Sequence, residues 1–469
     1  MALKTITSYK TDIITNNNNR LDAKYFYINH VFSKLKNYNS YKIKTLGDLK
    51  AKISSGSYIN KYISKTQGVP YIRVGNIKPF SISEDDVNLV YVSNDLPKKI
   101  KVEKNSIILG RTQATTAKLA VASIVSQENE GYVISQHISK IVLEDDTLTP
   151  YFLVAYLNSN FYKLQTALAT HGDTRVELTH SQLRNIRIFI PRQDIIKSIS
   201  DKVKLIIKYN FLSLENIREA KNTLSDLLGI NSLNLKKVKA YSINYSLLEK
   251  NNFWNPLFYY PPYLNIFKEI KKNINTIPLG EIVNIKKGTE VGSDNYVIGL
   301  EKKEGYIPFI RTSDLINYEA DQFPDYYISN DIYQKLNQDI RPGDILFTKD
   351  GKIGMTAMLT QEDKAIIASG IVRVRLKPEA SHYNVTPEYL FTVLSLKEIG
   401  FNQALRRTVI ASTIPHLREQ RLKEIEIPIP NKNIIDNITI LVKKAFDLKT
   451  QRKRLIEEVI QNIDSYFDT

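Results

Sequence analysis

Two stretches of this chain hold a helical rhythm longer than any other part of it. From 192 to 228 there is no proline or glycine. Apolar side chains fall at Ile196, Ile199, Val203 and Ile206, then at Leu214, Ile217, Leu224, Leu227 and Leu228. Steps of three and four place them on one stripe of a helix, and Gly229 supplies a stop. The second stretch carries Ile435, Ile438, Val442, Ala445 and Leu448, then Leu455, Val459, Ile463 and Tyr466. Either helix, unbroken, would reach about 55 Å. A stripe that long outruns the width of one domain. This favours an antiparallel coiled pair over the alternative, in which each helix folds back on its own domain. Residues 209–213 and 450–454 are less regular and mark candidate breaks.

Elsewhere the period is shorter. Residues 69–74, 107–109 and 138–143 are β-branched and aromatic runs bounded by Gly, Asn, Ser and Pro, which predicts strands. Thr149-Pro150 opens a predicted helix over 151–169. Another short helix follows Thr179, and 186–190 reads as a strand stopped by Pro191. Residues 1–40 are a lead-in, with 16–19 a polar loop. The strands and helices lack the alternation of a doubly wound sheet, so the fold class is mixed α/β of the α+β kind.

This domain occurs twice. Gly68-Val-Pro-Tyr-Ile-Arg-Val-Gly-Asn-Ile77 is echoed by Tyr306-Ile-Pro-Phe-Ile-Arg-Thr-Ser-Asp-Leu315, about half the chain later. In the same register, Leu46-Gly-Asp-Leu49 matches Leu279-Gly-Glu-Ile282, and Asn105-Ser-Ile-Ile-Leu109 matches Gly343-Asp-Ile-Leu-Phe347. Thr149-Pro150 matches Thr386-Pro387, and Ile186-Arg-Ile-Phe-Ile-Pro191 matches Ile425-Glu-Ile-Pro-Ile-Pro430. The period is too long for a solenoid. It gives a lead-in and first domain over 1–191, a long helix over 192–230, a lead-in and second domain over 231–430, and a second long helix over 431–469. Arg20-Leu-Asp-Ala-Lys-Tyr-Phe26 and Asn255-Pro-Leu-Phe-Tyr-Tyr260 are the aromatic lead-ins. What repeats is mostly apolar residues, Gly and Pro. What differs is mostly polar: 54–67 against 285–304, and 111–118 against 349–355. A shared scaffold with unlike polar loops points to one task performed on two different targets.

The charge adds a target class. Lys and Arg exceed Asp and Glu to give a net +16, an electrostatic footprint for polyanions, chiefly nucleic acid; solubility alone is an equal reading. The absence of cysteine excludes disulfides, thiolate metal sites and a cysteine nucleophile, and fits a reducing cytoplasm. There is no run of about 18 apolar residues, and residues 1–20 lack a signal-peptide core.

Catalytic motifs are missing or imitated. Tyr260-Pro-Pro-Tyr263 resembles the Pro-Pro-Tyr of adenine methyltransferases, which need Asn, Asp or Ser at the first position, and no Gly-rich loop for a methyl donor is present. Asp350-Gly-Lys-Ile-Gly354 lacks the spacing of a phosphate loop. The six histidines, His137, His171, His180 and His416 among them, show no His-x-x-x-His spacing. Asp145-Asp146 forms no identifiable nuclease centre. Expectations are therefore no catalytic residue, no metal and no cofactor in this chain.

Taken as an ordered series occurring twice, these motifs resemble the specificity subunits of type I restriction–modification systems, along almost the whole chain. The resemblance rests on Leu-Gly-Asp/Glu, Pro-aromatic-Ile-Arg, Gly343-Asp-Ile-Leu-Phe-Thr-Lys-Asp-Gly-Lys-Ile-Gly354, Ile-Pro-Ile-Pro430 and the long helices. It implies two target-recognition domains that read the halves of an asymmetric, bipartite double-stranded DNA site, in bacterial defence. It implies paired helices as the ruler between them, two methyltransferase subunits that use S-adenosylmethionine, and two restriction motor–nuclease subunits that use ATP and Mg. The first copy departs from the pattern, since Gly110-Arg111-Thr112-Gln113 stands where the second has Thr348-Lys349-Asp350-Gly351. Three other readings stay open. One is a related bipartite system with a fused methyltransferase–nuclease partner, another a stand-alone adenine methyltransferase, and the third an RNA-binding adaptor.

Polar and basic residues between the apolar strands are the candidate DNA contacts. In the first copy these are Ser57, Tyr58, Lys61, Asn76, Arg111, Gln113, Thr115, Lys118, His171, Thr174 and Arg175. In the second they are Lys286, Lys287, Asn295, Ser313, Lys349, Lys352, Arg406, Arg407 and Thr413. Arg can read guanine, and Asn or Gln adenine, through paired hydrogen bonds. Lys and Thr more often hold phosphate. Arg73 and Arg311 follow strands of the repeated scaffold, so a structural ion pair is an equal alternative for them.

Overall fold

The computed structural model describes residues 42–84, 89–113, 119–169, 176–233, 238–299, 302, 304–411 and 414–466. They fall into two compact units. One holds the described residues up to Glu84, those through Ile207 and those from Leu455 onward, and the other runs Lys208–Arg454.

In the first unit, strand Lys42–Thr45 pairs antiparallel with Arg187–Ile190 and so ties the beginning of the domain to its end. A four-stranded antiparallel sheet runs in the order Lys52–Ser55, Ile138–Val142, Ile107–Gly110, Ala122–Ile124. A three-stranded sheet places Val69–Ile72 between Val90–Val92, antiparallel, and Val133–Ile134, parallel.

The second unit reproduces this plan. Asn275–Pro278 pairs with Glu426–Ile429. Its four-stranded sheet runs Val283–Lys287, Ile371–Leu376, Ile345–Thr348, Thr356–Met358. Its other sheet again sets Ile307–Ile310 beside a parallel partner, Ile366–Ile367, and an antiparallel one, Tyr326–Ile328. Tyr296–Ile298 is added at the edge. The parallel register is the same in both, with Ile134 opposite Ile72 and Ile367 opposite Ile310.

The repeated motifs are scaffold with identifiable jobs. In Leu-Gly-Asp/Glu, Leu46 and Gly47 donate their backbone N–H to Ile186 and Arg184 at 3.0 Å, and Leu279 and Gly280 donate to Ile425 and Lys423 at 2.7 and 2.9 Å. Thr149 and Thr386 cap the helices that begin at Pro150 and Pro387. The same hydroxyls meet Ser200 at 2.6 Å and Thr439 at 2.7 Å on the long helices. Asn105 and Gly343 each turn the chain with positive φ just before a central strand.

The single helix expected over 151–169 is two, Pro150–Tyr156 and Asn160–Ala169. Asn158 lies between them, its carboxamide bonding both backbone groups of Ala122 at 2.9 and 3.2 Å and the Val154 carbonyl of the first helix at 2.8 Å.

The long helices span Gln193–Leu227 and Lys432–Asp464 without interruption. At 35 and 33 residues they extend about 50 Å each. The candidate breaks in their middles are absent. Polar side chains there bond back to helix carbonyls, as Ser213 does to Asn210 at 2.8 Å and Thr450 to Phe446 at 2.8 Å. In the second unit, Asn210 meets Arg452 at 3.2 Å, while Ile217, Ala220, Leu224 and Leu228 share a core with Ile435, Ile438, Val442 and Ala445. Ascending numbers face descending ones, so the helices run antiparallel. In the first unit Lys202 pairs with Glu458 at 2.6 Å, and Asp464 accepts from the N–H of Asn160 at 3.0 Å.

One close approach recurs in both units. A Cβ on Gly56 would collide with the carbonyl of Ile134, and one on Gly288 with those of Ile367 and Ala368. Backbone cannot retreat as a flexible side chain can. Gly288→Ala should therefore cost about 1–3 kcal/mol, read as a lower thermal midpoint of the chain. A midpoint equal to that of the parent chain would contradict this packing.

Candidate nucleic-acid interface

Five backbone hydrogen bonds, repeated in both units, draw four loop segments onto one rim. In the first unit Gly56 and Ser57 donate to Ile138 and Ile134 at 3.4 and 3.1 Å. Ser135 donates to Ile72, Arg111 to His137, and Leu178 to Arg111, at 3.0, 3.0 and 2.8 Å. In the second, Gly288 and Thr289 donate to Ile371 and Ile367 at 2.9 and 3.0 Å. Ala368 donates to Ile310, Lys349 to Gly370, and Leu417 to Lys349, at 2.9, 2.9 and 2.8 Å. The skeleton is common and the side chains on it are not. Gln136-His137 faces the place of Ser369-Gly370, Arg111 that of Lys349, and Glu177 that of His416.

In the first unit, Tyr58 is 70% exposed, Lys61 is exposed and Ser57 half-buried. The Ser57 carbonyl accepts from Tyr71 Oη at 2.8 Å, which steadies the loop's base. Arg111 forms an ion pair with Glu177 at 3.0 Å and donates to the Gln136 carbonyl at 3.2 Å. Behind it, His180 contacts Ser55 and Ser139 at 3.0 and 3.2 Å. Burial, with Arg111 and Arg184 adding like charge, holds its imidazole below the ordinary histidine range. The departing turn, Thr112–Gln113, is a short strand paired with Val176–Glu177. The Gln113 side chain and Thr115, Lys118, His171, Thr174 and Arg175 lie outside the described residues.

In the second unit the corresponding turn is tight, with positive φ at Gly351 and Gly354. Gly351 donates to Pro415 at 3.0 Å, Asp350 bonds His416, and the hairpin Val409–Ala411 with Ile414–His416 lies alongside. Lys286, Lys287, Ser313 and Lys352 are exposed. Asn295 is exposed too, although its amide already donates to Val291 at 2.6 Å. Thr413 lies outside the described residues.

Four of the candidates point inward. Asn76 is buried because its side chain caps the N–H of Arg73 at 2.9 Å. Asp314 does the same for Arg311 at 2.9 Å. Lys349 is buried and paired with Asp350 at 3.0 Å. Arg406 and Arg407 are buried around Gln403, which accepts from them at 3.0 and 2.8 Å, and both lie over the ring of Phe258. Glu424 faces Arg407 at 3.6 Å. Burial lowers the Arg406 guanidinium to about 9, with Arg407 adding to the shift, and lowers Arg407 to about 10. As for the two arginines with open alternatives, Arg73 and Arg311 are exposed, and Arg311 stacks over Tyr326 at 5.1 Å.

Gln136, His137, Glu177 and Ser369 were not among the DNA contacts expected from the sequence, yet they stand on the rim. Aligning 134–138 with 367–371 would have found the first two and Ser369, because the apolar ends match and the centres do not.

The arrangement offers hydrogen-bond donors and acceptors along both rims. Among the described residues no group of three or more His, Cys, Asp or Glu side chains is placed to hold a metal ion. Tyr260-Pro-Pro-Tyr263 starts the helix Pro261–Ile270, with the Tyr260 hydroxyl accepting from the N–H of Val238 at 3.0 Å and the Tyr263 carbonyl accepting from Gln403 at 3.1 Å. No described helix is long and apolar enough to cross a membrane.

Burial separates two kinds of cation here. Arg407→Ala should take a buried donor away from Gln403 and from the Glu424 carbonyl and cost about 1–3 kcal/mol of stability. Lys352→Ala, at an exposed site, should change stability by no more than about 0.5 kcal/mol and barely move the thermal midpoint. Equal midpoints for the two variants would contradict the placement.

The sequence matches the family described as the type I restriction modification DNA specificity domain over residues 38–203 and again over 271–458. Among solved structures, it aligns over 92% of its length with 96% of the type I restriction–modification S subunit from M. genitalium, at 14% identity and a TM-score of 0.31. It aligns equally far with 97% of the HsdS subunit from Thermoanaerobacter tengcongensis, at 15% identity and a TM-score of 0.29. No curated protein matches the sequence. With both repeats matched by the family and most of the chain included, the protein belongs to the type I restriction modification DNA specificity domain family.

Proposed function

We propose that this chain is the DNA-reading, non-catalytic subunit of a type I restriction–modification complex, and that each unit reads one half of an asymmetric bipartite site. The observation that carries this reading is the pair of rims: the same five backbone hydrogen bonds present unlike side chains. A rim of exposed Lys, Tyr and Gln with half-buried Ser and His suits the edges of bases and the phosphates beside them. The net charge of +16 supplies the sequence-independent part of the attraction.

The long helices suit a ruler. About 50 Å of helix, against about 3.4 Å per base pair, matches somewhat more than one turn of duplex. The repeated scaffold, being nearly the same surface twice, suits two identical partners. On this reading those are methyltransferase subunits carrying S-adenosylmethionine, joined for restriction by motor–nuclease subunits that use ATP and Mg. This chain would contribute position and sequence choice, while its partners contribute the bond chemistry.

Exchange of residues 45–191 for the same segment of another family member should change one half of the methylated motif and leave the other half and the spacer alone. The motif would be read by sequencing methylated bases in cells that carry the chimera. A change in both halves, or in neither, would defeat the reading.

A further inference from the structure

The middle of the C-terminal helix carries buried ions that DNA contact does not use. Lys449, Arg452 and Lys453 lie on one helix face, three and four residues apart, and all three are buried. Facing them is Glu319, itself buried, from the small hairpin Leu315–Ile316 with Glu319–Ala320. Arg452 bonds Glu319 directly, and Lys449 and Lys453 stand 3.6 and 3.8 Å from the same carboxylate. Lys453 also pairs with Asp363 at 2.5 Å, Lys449 donates to the Asn317 carbonyl at 2.8 Å, and Arg452 reaches Asn210 on the central helix at 3.2 Å. Burial opposes the charge on Glu319, but Arg452, Lys449 and Lys453 outweigh it and hold the carboxyl below its usual range.

This cluster is a poor way to gain stability. Two carboxylates face three cations, and among the described residues neither Glu319 Oε2 nor Arg452 Nε has a hydrogen-bond partner. Buried ions of this kind serve best to fix register, because an apolar seam tolerates a slip and a charged one does not. The neighbouring seam of Ile217, Ala220, Leu224, Ile435, Ile438 and Val442 would meet apolar surface again after sliding one turn. Glu319 would not meet its cations. The other repeat has no counterpart in its sequence. With Thr149–Ser200 and Thr386–Thr439 as matching contacts, the positions equivalent to Lys449, Arg452 and Lys453 are Asn210, Ser213 and Leu214, and that of Glu319 is Ser81.

We propose that Glu319, held by Lys449, Arg452 and Lys453, is a positioning residue that pins the second reader to a single register on the helices and thereby sets the spacer between the half-sites. The proposal rests on the bipartite reading above. A slip of one helical turn is about 5.4 Å, which is one to two base pairs of duplex at about 3.4 Å each.

The test sequences methylated bases in cells carrying the full chain with its partners, either as the parent or as Glu319→Gln. If the parent yields no bipartite motif, the functional reading itself fails. Given a parental bipartite motif, Glu319→Gln is expected to keep both half-sites while methylating sites with spacers one or two base pairs off at least tenfold more often. Methylation confined to the parental spacer would overturn the pin. Should Glu319→Gln fail to fold, a variant in which Glu319→Leu is combined with Lys449→Met, Arg452→Met, Lys453→Met and Asp363→Asn removes every buried charge together. Folding with a relaxed spacer supports the proposal. Folding with the parental spacer, or failure to fold, overturns it, since the ions then serve something other than register.

Discussion

The rims depend on one close backbone contact. Gly56 and Gly288 lie so near the carbonyls of Ile134 and Ile367 that no side chain fits between them. That proximity lets the four-stranded sheet and the smaller sheet share a boundary, because the chain crosses from one to the other at 134–138 and again at 367–371. Every backbone group drawn away from water there must find a partner, and the repeated hydrogen bonds to Ile134, Ile72 and His137, or to Ile367, Ile310 and Gly370, are those partners. Once the backbone is satisfied internally, the side chains between the fixed points are free to differ. Gln136-His137 can become Ser369-Gly370 without disturbing the frame.

The helices solve a different problem with different means. Most of their contact is apolar, each buried Ile or Leu contributing about 1.5–3 kcal/mol, and such contact is strong but not selective about register. The hydroxyl pairs Thr149–Ser200 and Thr386–Thr439 tie each domain to a chosen turn of helix. On the proposal above, the buried ions around Glu319 add a stricter condition in the second unit.

Much of this was legible in the sequence because the chain is its own comparison. Apolar periodicity gave the long helices, and the echo of Pro70-Tyr71-Ile72 in Pro308-Phe309-Ile310 gave the strands that start the rims. Three things were hidden. Asn76 looked like an adenine reader, and only its exchange for Asp314, which keeps an acceptor and loses a donor, signals a cap. Arg406 and Arg407 looked like exposed basic residues, and their burial depends on Phe258, nearly 150 positions earlier. The polar middles of the helices looked like breaks, and in the second helix Arg452 and Lys453 are instead taken up by Glu319 and Asp363 from elsewhere in the chain.

Two rims on one repeated scaffold should read two unlike words at a fixed distance. The most direct measurement is the sequencing of methylated bases in the host genome with the chain's gene intact and deleted. The account predicts that deletion abolishes methylation at one motif made of two different short halves around a constant spacer. Loss of a single uninterrupted motif, loss of a motif with identical halves, or no loss at all would contradict it.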